Sequence, residues 1–134
     1  MTIRPDVLAV LEMARQEGRA PRVYVAGPFG APTEFQIHQN IERAFAVAAA
    51  LWAKGYGVLC PHANTANMGG LATREMFLRG DLAWVAVTDI IVMMDTWLLS
   101  QGAIGEHDFA KERGVVVVYP GEIDQLPDLT GEPA

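Results

Sequence analysis

The sequence predicts an α/β domain built on a parallel sheet of four to five strands, in the order 2-1-3-4, with helices on both faces. Short apolar runs rich in β-branched residues alternate with segments of helical periodicity. Those runs are apolar nearly throughout instead of at every second position, as expected of strands covered on both faces. The turns at the amino ends of the strands are tight, while those at the carboxyl ends are long, and parallel sheets carry their ligands at the carboxyl ends.

Each element has its own signal. Over residues 5–17, Val7, Leu8, Leu11 and Ala14 fall at helical spacing, and Gly18 stops the helix. Arg22–Ala26 is strand one, leaving through Gly27 and Pro28 into a loop from Phe29 to Phe35. From Gln36 to Lys54, Ile41, Phe45, Ala48, Ala49 and Trp52 mark a long amphipathic helix, with Gly55 as its C-cap. Gly57–Cys60 is strand two, closed by Pro61, and His62–Gly70 reads as a loop rich in Asn and Gly. A helix follows from about Ala72 to Val87, then strand three over Asp89–Met94, a helix over Ala103–Arg113 and strand four over Val115–Tyr119. The organisation is an N-terminal helix (1–20), a core domain (21–120) and an acidic, proline-spaced tail (121–134).

Right-handed crossovers leave few topologies for such a chain. The order 2-1-3-4 reverses direction between strands one and three. A crevice is therefore expected where the loops after Ala26, Cys60 and Met94 converge.

Composition narrows the function classes. With 134 residues, 51% hydrophobic and 19% charged, the chain is one globular domain and not a disordered one. A net charge of −6 argues against a nucleic-acid polymer as partner but leaves room for a single nucleotide. The lone Cys60 excludes an internal disulfide, and no Cys/His cluster has zinc spacing, so neither metal nor cofactor is expected. The N-terminus lacks a charged-then-apolar signal pattern, and no apolar run approaches about 18 residues. A soluble, cytoplasmic protein with no membrane partner is the expectation.

The stretch Asp89–Glu106 is the most informative. Strand, polar turn and helix start follow one another there, and Glu106 lies about one turn into the helix. Small residues at Gly102, Ala103 and Gly105 leave space before it, and glycines inside a helix cost roughly 1 kcal/mol each, which suggests a reason for keeping them. Ser100 is either a helix cap or, with the N–H groups of Gly102 and Ala103, a site for a phosphate or sugar hydroxyl. Gly27, Pro28, Phe29 and Gly30 follow strand one directly, either as a tight strand exit or as a loop letting a ligand approach the backbone. Asp81 sits in an otherwise apolar helix, free to pair with Arg79 or Arg74 or to serve the crevice. Asp95 and Trp97 follow strand three toward the same crevice. Tyr24 lies inside strand one, in the core or with its hydroxyl aimed at the site. His62 and Asn64 follow strand two, and His38 and His107 read as surface helix residues.

Val23-Tyr24-Val25-Ala26-Gly27-Pro28, the Asp81-Leu82 pair before strand three, the Ser-x-Gly-Ala-x-x-Glu run from Ser100 to Glu106, and Pro61-His62-Ala63-Asn64-Thr65 together resemble the nucleoside 2-deoxyribosyltransferase-like superfamily. The likeness spans about residues 22–119. It implies a flavodoxin-like, Rossmann-like fold and cleavage of the N-glycosidic bond of a nucleoside or nucleoside 5′-monophosphate, by hydrolysis or deoxyribosyl transfer. By that resemblance Glu106 is the catalytic nucleophile, and Asp81 the catalytic acid that handles the leaving base and orients the substrate. Ser100 stands where relatives acting on monophosphates have serine and those acting on free nucleosides have an acidic residue. A serine would not repel a phosphate, which leans the expected substrate toward a monophosphate. The substrate-binding set is then Tyr24, Gly27–Gly30, His62, Asn64, Asp95, Trp97, Ser100 and Gly102.

Two departures stand out. Transferases supply an asparagine from a neighbouring subunit's tail, whereas Asp124–Ala134 contains none, leaving Thr130 as its one hydroxyl. The loop after Gly27 also lacks the Ser/Arg phosphate grip of some hydrolase relatives. The resemblance further implies a homo-oligomer, most simply a dimer, with Leu8 and Leu11 as candidate contacts. The alternative reading is a catalytically inactive nucleotide-binding or sensing module that kept the pocket.

Overall fold

A computed structural model describes residues 3–131. Four strands, β1 (Arg22–Ala26), β2 (Gly57–Leu59), β3 (Ile90–Met93) and β4 (Val116–Val118), form one parallel sheet in the order β2-β1-β3-β4. β1 sits in the middle, with Tyr24 level with Leu59 of β2 and Ile91 of β3. This is the flavodoxin-like, Rossmann-like arrangement, with the order and the reversal between β1 and β3 that the sequence predicts.

Two apolar layers cover the sheet. Val23, Val25, Ile90, Val92, Val116 and Val118 face one side, against Val7 of α1 (Pro5–Gln16) and Ala44, Ala48 and Leu51 of α2 (Glu34–Ala53). Tyr24, Ala26, Ile91, Met93 and Val117 face the other, against Val85 of α4 (Arg74–Val85) and Ala103 and Ala110 of α5 (Gln101–Glu112). Side chains of a strand alternate between faces, so Tyr24 points opposite to Val23 and Val25, and its phenol meets α5 on that side.

Local chemistry places the helix ends. Thr33 caps α2 by accepting the Gln36 N–H at 3.2 Å, and Thr73 caps α4 by accepting the Met76 N–H at 3.1 Å. α2 therefore starts at Glu34, taking in Glu34 and Phe35 that the sequence leaves in a loop. Gly55 ends α2 with φ +98°, a conformation that L side chains rarely adopt. The segment after β2 is also not wholly a loop: Pro61 starts α3 (Pro61–Asn64), a single turn whose first position has no use for an N–H. Between β3 and α5 the chain turns sharply at Thr96, a β-branched residue held at φ +64°, into a 3₁₀ turn over Trp97–Leu99.

The described part of the tail is packed against its own chain. After a 3₁₀ turn over Pro120–Gln125, Leu126 enters the core. The Leu129 N–H donates to the Lys54 carbonyl at 2.7 Å, and the Tyr56 hydroxyl to the Pro127 carbonyl at 2.9 Å. Lys54 and Tyr56 lie at the amino end of β2, so Thr130 is held at the end of the sheet opposite the crevice. Residues 132–134 of the expected tail lie outside the described residues. Of the two proposed contact leucines, Leu11 packs inward against the core while Leu8 is 50% exposed. No helix among the described residues is long and apolar enough to cross a membrane.

Gly27 has a packing reason. A Cβ there would lie 2.6 Å from Met94 Sδ and 2.8 Å from Met94 Cβ. The thioether can swing away, but the Cβ cannot without moving the end of β3. Gly27→Ala is expected to destabilise the fold by about 1–3 kcal/mol, as overpacking does, read from urea unfolding. An unchanged midpoint would mean that the two strand ends separate freely.

Candidate functional site

At the carboxyl ends of the strands lies a cleft of about 620 Å³, within the range of roughly 300–1,000 Å³ usual for small-molecule sites. The loop Gly27–Gly30 forms one lip, Pro61, His62 and Thr65 a second, and Leu99–Ala103 a third. The fourth wall is α4, which presents Arg74, Phe77, Leu78 and Asp81. Those positions are three, four and seven apart and so share one helix face.

Glu106 lies at the floor, only 6% exposed. Its Oε2 accepts a hydrogen bond from the Tyr24 hydroxyl, which reaches across from the sheet. Burial pushes the Glu106 carboxyl up to about 8, against the pull of the Tyr24 hydrogen bond, and the charge of Asp81 pushes the same way as burial. Burial likewise lifts Asp81 to about 6. The Tyr24 phenol is raised too, first by burial and then by the two carboxylates beside it, so it stays a donor. Between about pH 6 and 8 the two carboxyl groups of the cleft therefore hold one proton, which rests on Glu106 while Asp81 is ionised. Such a pair can supply one acid and one base at once.

Ser100 caps α5, its Oγ accepting the Ala103 N–H at 3.2 Å, and its own hydroxyl hydrogen remains available on the cleft wall. Gly102 lines the cleft as expected. Gly105 does not: it faces α4, where a Cβ would come 4.0 Å from Leu78 Cδ2.

His62 is buried at 3% exposure, with Nε2 2.9 Å from the Pro28 carbonyl and the Phe29 ring against it at 5.7 Å. That bond assigns the proton to Nε2. Burial pushes the imidazole below its ordinary value, which keeps it neutral and its Nδ1 a bare acceptor without a partner among the described residues. His62 thus clamps the Gly27–Gly30 loop, which Asn40 holds from the other side through the Phe29 carbonyl at 3.0 Å.

Three expected site residues stand elsewhere. Asn64 is exposed on α3, and its neighbour Thr65 lines the cleft instead. Asp95 is exposed, because β3 ends at Met93 and the turn through Thr96 swings it outward. Trp97 packs away from the cleft on His107, with ring centroids 4.4 Å apart. His107 is no surface residue: it is buried, with Nε2 2.8 Å from the Tyr119 hydroxyl and Nδ1 2.9 Å from Asp108. Together they brace the 3₁₀ turn that leads into Ser100. Arg74, which the sequence offered only as a possible partner for Asp81, lines the cleft instead and makes no ion pair with Asp81.

Fold and cleft define a parallel α/β protein with an open cleft at the point where strand order reverses, where such folds bind their ligands. The chain belongs to the family described as Domain of unknown function (DUF4406), whose model matches residues 21–119. None of the curated proteins matches it.

Proposed function

We propose that this protein cleaves the N-glycosidic bond of a nucleoside 5′-monophosphate, through a covalent step on Glu106. The observation that carries this reading is the placement of two carboxyl groups, Asp81 and the buried, Tyr24-bonded Glu106, in one cleft of nucleotide size. The resemblance of Tyr24–Pro28, Asp81-Leu82 and the Ser100–Glu106 run to the nucleoside 2-deoxyribosyltransferase-like superfamily supports the same chemistry.

The residues divide the work as follows. In the reactive form the single proton has moved from Glu106 to Asp81; with Oε2 held by Tyr24, Oε1 of Glu106 then bonds to C1′ of the sugar as the bond from C1′ to the base nitrogen breaks. The electron pair leaves with the base, and protonated Asp81 gives its proton to that nitrogen. Water, or a second base in a transfer, then attacks C1′ and loses its proton to Asp81 while Glu106 is released. Ser100 and the Gly27–Gly30 loop hold the 5′-phosphate.

Below about pH 6 both carboxyl groups are protonated and the nucleophile is lost; above about pH 8 both are ionised and the acid is lost. A bell-shaped kcat/KM with limbs near those two values is the expected profile. The test is a chromatographic assay for free base over ribo- and deoxynucleosides and their 5′-monophosphates. Release from at least one monophosphate supports the reading. Binding by calorimetry with no release from any compound replaces it with the nucleotide-binding module.

A further inference from the structure

We infer that Arg74 is the residue by which the cleft selects a phosphate-bearing ligand, gripping the phosphate at the mouth while the carboxyl groups act at the floor. The inference rests on the proposed nucleotide reading for its ligand class and on the placement of Arg74 for everything else. Arg74 is the one Lys or Arg among the described residues of the cleft wall. Arg4, Arg15, Arg19 and Arg22 each hold a carboxylate; exposed Arg74, like Arg79 and Lys111, makes no ion pair or hydrogen bond among the described residues, and of these three it alone lines the cleft. An idle cation on the wall of an otherwise acidic cleft is placed for an anion that arrives from outside.

Helix register locates it. α4 leads down into β3 and α5 leads down from it, so the two helices run parallel from the carboxyl end of the sheet. Leu78 is level with Gly105, which puts Arg74 level with Gln101, one residue beyond Ser100. Arg74 and Asp81 are seven residues apart on one face, about 10 Å along the axis at 1.5 Å per residue. A ligand with its phosphate on Arg74 and Ser100 therefore keeps that charge away from Asp81 and Glu106 while its sugar reaches them. Anions also favour the parallel amino ends of α4 and α5. Independently, His62 lines the same cleft with a buried Nδ1 that has no hydrogen-bond partner among the described residues, which suits a site where a ligand supplies the donor.

The test is calorimetry at low salt on wild type, Arg74→Ala and Arg74→Lys, using the four deoxynucleoside 5′-monophosphates, the matched nucleosides and inorganic phosphate. The quantity read is the ratio of monophosphate to nucleoside affinity. Loss of one charge-assisted contact is expected to lower that ratio about tenfold in Arg74→Ala, with part of it kept in Arg74→Lys. The preference should also weaken as salt rises. A wild-type ratio near one, or an unchanged ratio in Arg74→Ala, overturns the inference. So does inorganic phosphate binding as tightly as the monophosphates, since the site would then take free phosphate. The failures are separable: Arg74-dependent binding with no free base leaves the inference standing and removes the glycosidase. Base release that ignores both phosphate and Arg74 does the reverse. If none of these compounds binds, both fall.

Discussion

Glu106→Gln is expected to lower the release of free base by about 10³-fold or more, because it removes the attacking oxygen while keeping the shape of the side chain. The glutamine can still accept from Tyr24, so the loss is a chemical one and should leave KM within a few-fold. Asp81→Asn is expected to lose less, about 10²–10⁴-fold, the usual worth of a positioned general acid. It should recover on a substrate whose leaving group needs no proton, a rescue unavailable to Glu106→Gln. Single-turnover kinetics decide the matter. If Glu106→Gln keeps wild-type turnover, the nucleophile lies elsewhere.

The same substitution has a second large effect, on stability. Burial raises the Glu106 carboxyl from the ordinary 4.5 to about 8. The folded state therefore holds a proton that the unfolded chain releases at lower pH. Stability from this group is complete below pH 4.5 and is lost as pH rises toward about 8. The full difference is on the order of 5 kcal/mol, at 1.36 kcal/mol for each pH unit. Asp81, raised to about 6, adds a loss in the same direction between about pH 4 and 6. Urea unfolding of wild type should thus weaken from pH 5 to 8, while Glu106→Gln stays flatter and becomes the more stable of the two at pH 8. Parallel curves for the two proteins would falsify the buried, protonated state of Glu106. A gain in stability together with a loss of turnover would show that the site keeps a carboxyl group where folding alone would not.

Sheet order and helix positions were legible from the chain because their causes are local. A strand covered on both faces has to be apolar throughout, and Gly18 and Gly55 stop helices through their own backbone limits, although the short helix begun by Pro61 read only as the end of a strand. That continuity also hid something. In Arg22–Ala26 every residue from Val23 is buried, so no alternation tells which face Tyr24 takes. The register with β3 and the position of α5 decide it. Asp95 and Trp97 misled for a related reason: they follow β3 in sequence, but one residue at positive φ, Thr96, redirects both. His107 read as a surface residue because its partners, Trp97 and Tyr119, come from other elements.

For the candidate site, the sequence by itself determined which groups are available. It set a parallel sheet with its long loops at one end, Glu106 one turn into a capped helix, Asp81 on the preceding helix and Ser100 at the cap. Tertiary structure alone decided what those groups are like. It buried Glu106 under the Tyr24 hydroxyl, set Asp81 in the same cleft, neutralised His62 and placed Arg74 on the cleft wall with no partner among the described residues. The reason is physical. Periodicity, capping and turn chemistry act over a few neighbouring residues and are written in their order. Desolvation and charge coupling act through space, between residues as far apart in the chain as Tyr24 and Glu106.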